Sequence, residues 1–159
     1  MKASPLSLRD VTFLNVHVQI NADFTDDIDD FNFDGVNFTW GIRHGKQNDE
    51  GTDWWVGVEM AVDNSAEKQC PYKIYIKAAG MFSIDEHYDP ARRESFVYDS
   101  GASLIYGAIR EMVMNITSRS ARGSLMLPTA SFFGAFAEHL EKQRLAAEAE
   151  APSESAKPD

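Results

Sequence analysis

The segment that most constrains the fold is residues 101–133, whose first half predicts a helix that is apolar on nearly every side. One stripe at helical spacing consists of Ile105, Ile109, Met112 and Ile116. Leu104, Tyr106, Ala108 and Val113 widen the apolar surface around that stripe. Apolar surface left in water costs about 25 cal/mol per Å², so this helix needs cover from more than one direction. One small sheet cannot supply that cover, and we therefore expect the helix to take part in subunit assembly.

Four segments upstream alternate between apolar and polar residues, which predicts half-buried strands. They are residues 8–20, 36–43, 54–62 and 72–79, with residues 80–84 ending the sheet. In the first strand, Leu14, Val16, Val18 and Ile20 are expected to share one face. Short polar turns separate the last three strands, so these strands predict an antiparallel meander. The fold class is therefore α+β.

The connections are polar. Residues 21–34 are too acidic to fold alone and too aromatic for a plain linker, which predicts a long crossing loop. Residues 85–100 include Pro90 and are expected to form a loop, with Asp99 or Ser100 capping the long helix. Thr129 or Ser131 can start a second helix that continues through Leu140. We expect a single domain over residues 1–145 and a disordered, Ala- and Glu-rich tail over residues 146–159.

Composition limits the partners and the cellular compartment that we expect for this protein. The chain has 159 residues and a formal net charge of −10, which disfavours nucleic-acid backbones as the main partner. A single cysteine, Cys70, cannot form an internal disulfide, and residues 1–5 lack the apolar core of a secretory signal. No run approaches the roughly 20 apolar residues of a membrane span. We expect a cytoplasmic protein without a membrane-inserted segment.

No constellation of residues predicts catalysis, a metal site or a cofactor. The histidines are scattered, Cys70 has no nearby histidine or second cysteine, and the acidic loop lacks the glycine and terminal glutamate of a calcium loop. The carboxylates of this acidic loop are those of Asp26, Asp27, Asp29 and Asp30. The sequence therefore predicts a protein that is not an enzyme. A small enzyme that uses these carboxylates is a weaker alternative, because no paired acid and base can be located.

Two predicted loops hold apolar residues that the sheet and helix faces do not require. The first contains Phe24, Ile28, Phe31 and Phe33, and the second contains Leu125, Met126 and Leu127. These loops could simply cover the open face of the sheet. Alternatively, they could form an exposed groove for extended or unfolded polypeptide, because aromatic and methionine side chains adapt to many apolar partners.

The chain resembles the SecB family of protein-export chaperones over roughly residues 81–140. The resemblance is carried by residues 80–84, by Leu104, Tyr106 and the Arg110–Glu111 pair of the long helix, by Ser118 and Arg119, and by residues 125–128 with Phe132. The order and spacing of these elements match the family, and the strand order upstream is compatible with it.

The resemblance implies a four-stranded antiparallel sheet with a long crossover loop between strands 1 and 2 and two C-terminal helices. It also implies a homotetramer, built as a dimer of dimers, in which the long helix with Ile105, Ile109, Met112 and Ile116 lies at the oligomer interface. Family members are ATP-independent holdases that bind unfolded clients without a cofactor. Clients are expected to contact the crossover loop at residues 24–33 and the loop between the helices, with Phe38 and Trp40 as further candidates.

The sequence departs from the family on the exposed sheet face. Export chaperones present acidic residues there to the translocase motor ATPase, but the fourth strand carries Lys73, Tyr75 and Lys77. Glu59 is the acid on the outward side of the third predicted strand. Some relatives protect an unstable antitoxin instead. The expected function is therefore a holdase for protein export or, alternatively, a dedicated adaptor for one partner such as an antitoxin.

Overall fold

The computed structural model describes residues 3–65 and 67–150. Four strands form one antiparallel sheet in the order β1-β4-β3-β2, with β1 at Leu6–Ile20, β2 at Asn37–Lys46, β3 at Asp53–Asp63 and β4 at Tyr72–Ile84. Two helices follow, α1 at Pro90–Thr117 and α2 at Ala135–Glu150. Because β1 and β2 are opposite edges of the sheet, residues 21–36 cross from one edge to the other. The predicted α+β architecture with a long crossover is confirmed.

The alternation in β3 and β4 builds the core, because every second side chain of these strands faces α1. In β3 the buried set is Trp54, Val56, Val58, Met60 and Val62. In β4 it is Tyr72, Ile74, Ile76, Ala78, Phe82 and Ile84. Helix and sheet approach closely where Gly101 of α1 crosses β3, since a Cβ at Gly101 would lie 2.8 Å from Val56 Cγ2. The meander of three strands is thus one half of a two-layer core.

β1 follows its predicted face in part. Its register against β4 shifts between Phe13 and Asn15, which inserts one extra residue into the strand. Val16 and Val18 pair with Ile76 and Ile74 and so share the face that packs on α1. Leu14 falls at the bulge and instead lines a cleft with residues of the opposite face, so the prediction of one shared face is wrong for Leu14.

α1 begins eleven residues earlier than the apolar segment suggests, so the prediction of a loop over residues 85–100 is confirmed for residues 85–89 and wrong for residues 90–100. Asp89 is the N-cap, and its carboxylate accepts the backbone N–H of Ala91 at 3.0 Å. Pro90 occupies the first helical position, where a missing N–H removes no helical hydrogen bond. Asp99 lies inside the helix and does not cap it.

The predicted interface stripe of α1 divides between the core and the surface. Ile105 and Ile109 are completely buried under the sheet, so they cannot reach a second subunit without unpacking the monomer. Met112 is half-buried, and Ile116 is 38% exposed. The outward side of α1 carries Leu104, which is 44% exposed. The prediction of an interface role therefore fails for Ile105 and Ile109 and remains a prediction for Met112 and Ile116.

The segment between the helices, residues 118–134, consists of turns and irregular structure. Gly134 has a φ of +81°, which ends this segment, and α2 starts at Ala135 and not at Thr129 or Ser131. α2 continues to Glu150, so residues 146–150 of the predicted disordered tail belong to a helix. The remainder of that tail lies outside the described residues. No helix of the described residues is both long and apolar enough to cross a membrane.

Candidate functional site

The crossover loop is anchored at its start by a buried amide. Asn21 donates from Nδ2 to the carbonyl oxygen of Cys70 at 2.9 Å, and its Oδ1 accepts the N–H of Asp23 at 3.2 Å. Further along, Asp27 caps a short 3-10 turn at Ile28–Asp30. These local bonds hold the acidic residues outward while the apolar residues between them turn toward the protein. Phe24, which is 4% exposed, is thereby fixed in the core.

Aromatic rings from four parts of the chain form a continuous series: the crossover loop, β2, α1 and the segment between the helices. Successive centroids lie 5.7 Å apart for Phe24 and Phe31, 4.9 Å for Phe31 and Phe33, and 5.6 Å for Phe33 and Phe38. The series continues through Phe38 and Trp40 at 6.0 Å and ends where Trp40 meets Tyr106 and Phe132 at 5.1 and 5.9 Å. We call these seven residues the aromatic track: Phe24, Phe31, Phe33, Phe38, Trp40, Tyr106 and Phe132.

The loop between the helices is fixed against α1 by three side chains. Tyr106 Oη donates to the carbonyl oxygen of Pro128 at 2.6 Å, and Arg110 Nε donates to that of Leu127 at 3.0 Å. The Thr117 hydroxyl accepts the N–H of Leu125 at 2.8 Å. Burial raises the pKa of Tyr106 to about 12, so its phenol stays protonated and remains a donor at neutral pH. The loop is therefore held rigidly by its backbone.

The structure brings the two predicted loops together. The Arg122 guanidinium donates to the carbonyl oxygen of Phe24 at 2.7 Å and lies over the Phe24 ring at 5.8 Å from its centroid. Ile28 lies beside Gly123, where an added Cβ would be 3.7 Å from the Ile28 side chain. Residues separated by nearly a hundred positions in sequence thus form one surface, which the sequence could not show.

The candidate client-binding residues differ in accessibility. Leu125 and Leu127 are 4% and 1% exposed, so they and Phe24 belong to the core of the monomer. This agrees with the alternative in which the two loops cover the open face of the sheet. Met126, between the two leucines, is 60% exposed, and Trp40 is 39% exposed. The remaining candidates are half-buried: Ile28, Phe31, Phe33 and Phe38. A partner can reach Met126 and Trp40 directly.

Two residues of this surface, Phe132 and Phe133, are not among the client-binding residues predicted from the sequence. Phe132 is buried and joins the aromatic track, whereas Phe133 is 95% exposed. The sequence predicts both in the second helix, but they precede α2: Phe132 lies in irregular structure, and Phe133 forms a turn with Gly134. Gly134 directly follows this apolar pair, and a glycine there could have indicated that the chain turns before the helix begins.

Charged groups border the aromatic track on the side of the crossover loop. An open cleft is lined by Phe24 and Phe31 together with Asp23, Asp26, Asp27, Asp30, Glu67 and Lys68. Lys68 Nζ lies 5.6 Å from the centroid of Phe31. Among the described residues, no group of three or more His, Cys, Asp or Glu side chains is arranged to hold a metal ion. The carboxylates keep this apolar region hydrated at its rim.

α2 forms the other border of the surface and is fastened at its first turn. The Asp99 carboxylate of α1 accepts the N–H groups of Gly134 and Phe136, each at 2.9 Å. The first N–H groups of a helix have no hydrogen-bond partner within the helix, so a carboxylate that accepts them stabilises the start of α2. His139 stacks on Tyr98 with centroids 5.4 Å apart. A cleft of about 430 Å³ opens between this turn and β2, where Trp40 and Ile42 form its opposite wall.

Comparison with known proteins supports the fold. No model of a protein family matches the sequence, and no curated protein is similar to it in sequence. Among solved structures, a SecB-like chaperone of Mycobacterium tuberculosis, solved with a ChAD peptide from the HigA1 antitoxin, superimposes with a TM-score of 0.50 and 19% identity, over 79% of this chain and 91% of that chain. A protein of unknown function from Streptococcus agalactiae has a TM-score of 0.47 and 10% identity, over 77% and 96% of the two chains. The chain therefore has the SecB-like fold predicted from its sequence.

Proposed function

We propose that this protein is an ATP-independent chaperone that binds non-native polypeptide along the aromatic track. The observation that carries the proposal is the convergence of the two loops with β2, which leaves Trp40, Met126 and Phe133 exposed beside half-buried rings. Apolar surface of this kind is unusual on a monomer unless it binds a partner. The SecB-like fold supports the proposal, because the Mycobacterium tuberculosis protein that shares it is a chaperone.

Binding would combine fixed and adaptable contacts. Trp40 and Phe133 supply rigid aromatic surface, and the unbranched Met126 side chain can adjust to clients of different shape. The carboxylates of the crossover loop surround the apolar region and keep it soluble when no client is bound. None of these contacts requires a nucleotide or a metal ion.

A second candidate is a dedicated chaperone for one partner, such as an antitoxin. It is favoured by the comparison structure, which is bound to a peptide from an antitoxin. Tight binding of one partner, with no effect on the aggregation of generic unfolded proteins, would select this candidate. A third and narrower candidate function is protein export, in which the protein would bind the translocase motor ATPase. Its test is retention of this chain by the motor ATPase in a pull-down with both proteins purified.

The chaperone proposal predicts that the purified protein suppresses the aggregation of a model protein that unfolds on heating, without ATP. The double variant W40S/M126S is expected to lose most of that suppression, because two accessible apolar contacts are removed. Light scattering measures the effect, and circular dichroism checks the fold. L145S is the matched control, since Leu145 is 51% exposed on the distal part of α2.

Two outcomes contradict the proposal. Equal aggregation with and without the protein would exclude generic client binding. Equal suppression by the wild type and W40S/M126S, or equal loss in W40S/M126S and L145S, would place the client elsewhere on the molecule. Binding of one partner alone, weakened by W40S/M126S, keeps the aromatic track as the site and selects the dedicated chaperone.

We also propose that the chain assembles as a homotetramer through the outward side of α1. Leu104 is exposed there, and a Cβ added at Gly107 would have no neighbouring atom within 4 Å. Burying this side would supply the additional cover that so apolar a helix needs. Native mass spectrometry is expected to show a tetramer, which L104E should shift to a smaller species by placing a charge in the interface. A monomeric wild type would contradict this assembly.

A further inference from the structure

The sheet face opposite α1 contains a small apolar cleft whose floor lacks side chains. Gly57 pairs with Ala79 on β4 and with Arg43 on β2, and Gly41, two residues before Arg43, pairs with Glu59. Trp55 forms one wall, and the exposed Leu14 of the β1 bulge lies at one end. The cleft has a volume of about 130 Å³, which suits one side chain rather than a length of chain. We call this feature the outer cleft.

The glycines of the outer cleft are not required by backbone geometry or by crowding. Neither has a positive φ. A Cβ at Gly57 would lie 3.4 Å from the Trp55 ring, and one at Gly41 would lie 3.7 Å from Glu59 Cβ, which are distances of ordinary or slightly tight contact. Glycine weakens a strand interior, and in strands it often marks a place where another group approaches the backbone closely. The floor is therefore open to an incoming side chain.

The rim of the outer cleft carries positive charge on a chain whose formal net charge is −10. Arg43 is exposed at the β2 side, and no carboxylate of the described residues pairs with it within 4.0 Å. Lys77 lies 3.9 Å from Glu59, whose carboxylate also accepts the Tyr75 hydroxyl at 3.0 Å. Lys73 is exposed further along the same face of β4. Glu59 is thus shared, whereas Arg43 is available to an external anion.

We propose that the outer cleft binds a short acidic peptide segment of a partner protein. One aliphatic side chain of the segment enters the cleft over Gly57, and flanking carboxylates pair with Arg43 and Lys77. The aromatic track lies on the other side of the sheet, so this docking surface is separate from the proposed client site and does not depend on it. A partner could occupy it while a client is bound.

The test uses three short fluorescein-labelled peptides and the full-length protein. The first has a central leucine flanked by aspartates, the second replaces the leucine by alanine, and the third replaces the aspartates by asparagines. Fluorescence anisotropy at low salt is expected to show binding of the first peptide, with the other two weaker by about tenfold, a factor that corresponds to about 1.4 kcal/mol. Added salt should weaken the first peptide, because exposed charge pairs are screened.

Two variants locate the binding. G57V fills the cleft and is expected to reduce affinity for the leucine peptide about tenfold, with little change for the alanine peptide. R43E should weaken the aspartate peptide and leave the asparagine peptide unchanged. R119E is the matched control, because Arg119 is exposed beyond the end of α1, away from this face. Thermal unfolding checks that each variant is folded.

Three outcomes overturn the proposal. One is no binding of the leucine peptide by the wild type. Another is binding that R119E weakens as much as R43E, which would indicate a non-specific charge effect. The last is a change in oligomeric mass of G57V without any peptide binding by the wild type, which would assign this face to a second copy of the chain. Loss of client binding has no bearing on these results.

Discussion

Replacing Leu127 by alanine is expected to lower the free energy of unfolding by about 3 kcal/mol, as large-to-small substitutions in well-packed cores do. Leu127 is 1% exposed and packs in the same core cluster as Tyr106 and Ile109. Its carbonyl oxygen remains bonded to Arg110, so the backbone of the loop cannot collapse easily into the space left by the side chain. Urea unfolding at a fixed protein concentration measures the change, since assembly makes stability depend on concentration.

Met126 provides the control for this experiment because it is adjacent and 60% exposed. M126A is expected to change stability by no more than about 0.5 kcal/mol, the usual range for surface positions. The pair of variants separates two roles that look identical in the sequence Leu125-Met126-Leu127. An L127A variant of unchanged stability that binds clients poorly would show that Leu127 faces the client and not the core.

Replacing Arg93 by alanine is expected to cost about 3 kcal/mol, because hydrogen bonds made by a charged group are each stronger than neutral ones. Arg93 is 8% exposed, and its guanidinium donates to three backbone carbonyls, those of Tyr88 at 3.0 Å, Glu50 at 2.9 Å and Glu86 at 2.6 Å. These bonds connect the start of α1 to the β2–β3 turn and to the loop between β4 and α1. Removing them frees both connections at once.

Arg92 is the matched control, since it is the neighbouring arginine and is exposed. R92A should leave the unfolding midpoint nearly unchanged, whereas R93A should lower the melting temperature by about 6–12 °C for a chain of this size. R93K should recover only part of the lost stability, because an ammonium group cannot span three carbonyls as the planar guanidinium does. Equal stability of R92A and R93A would show that the three bonds contribute nothing net.

The strands were predictable because their alternation has a simple physical cause. Every second residue of β3 from Trp54 to Val62 is buried, so the pattern in the sequence is the pattern of the core. The bulge at Leu14 could not be predicted in the same way, because an extra residue leaves the composition of β1 unchanged and shifts only its pairing with β4. Register is set by the partner strand, which a single segment does not contain.

The start of α1 was missed for a specific reason. Pro90 in a polar segment favours a loop, although proline is also compatible with the first position of a helix. Asp89, directly before it, is a favoured N-cap residue, and the pair Asp89-Pro90 would have placed the helix start correctly. The apolar stripe from Ile105 was then assigned to an interface, because without the sheet in view a core face and an assembly face have the same spacing.

The candidate site was predictable as residue types but not as a surface. Phe31 and Phe33 stand out by their excess over what strands and helices need, and the family resemblance adds Phe38 and Trp40. The structure arranges these four residues in one series. Their continuation to Tyr106 and Phe132 depends on how α1 and the interhelix loop pack, which is a property of the tertiary fold. Local patterns carry no information on contacts of that range.

The position of β1 at the edge of the sheet has a consequence for the order of folding. β2, β3 and β4 are joined by short turns, whereas Leu6 pairs with Ile84 and Ile20 with Tyr72, so each β1 contact closes a loop of about fifty residues or more. Contacts that close long loops form late, because their entropic cost comes before their gain. The meander and α1 should therefore associate first, and the strand synthesised earliest should complete the sheet last. Until that step, a protein that we propose to protect other unfolded chains would itself expose the unpaired edge of β4.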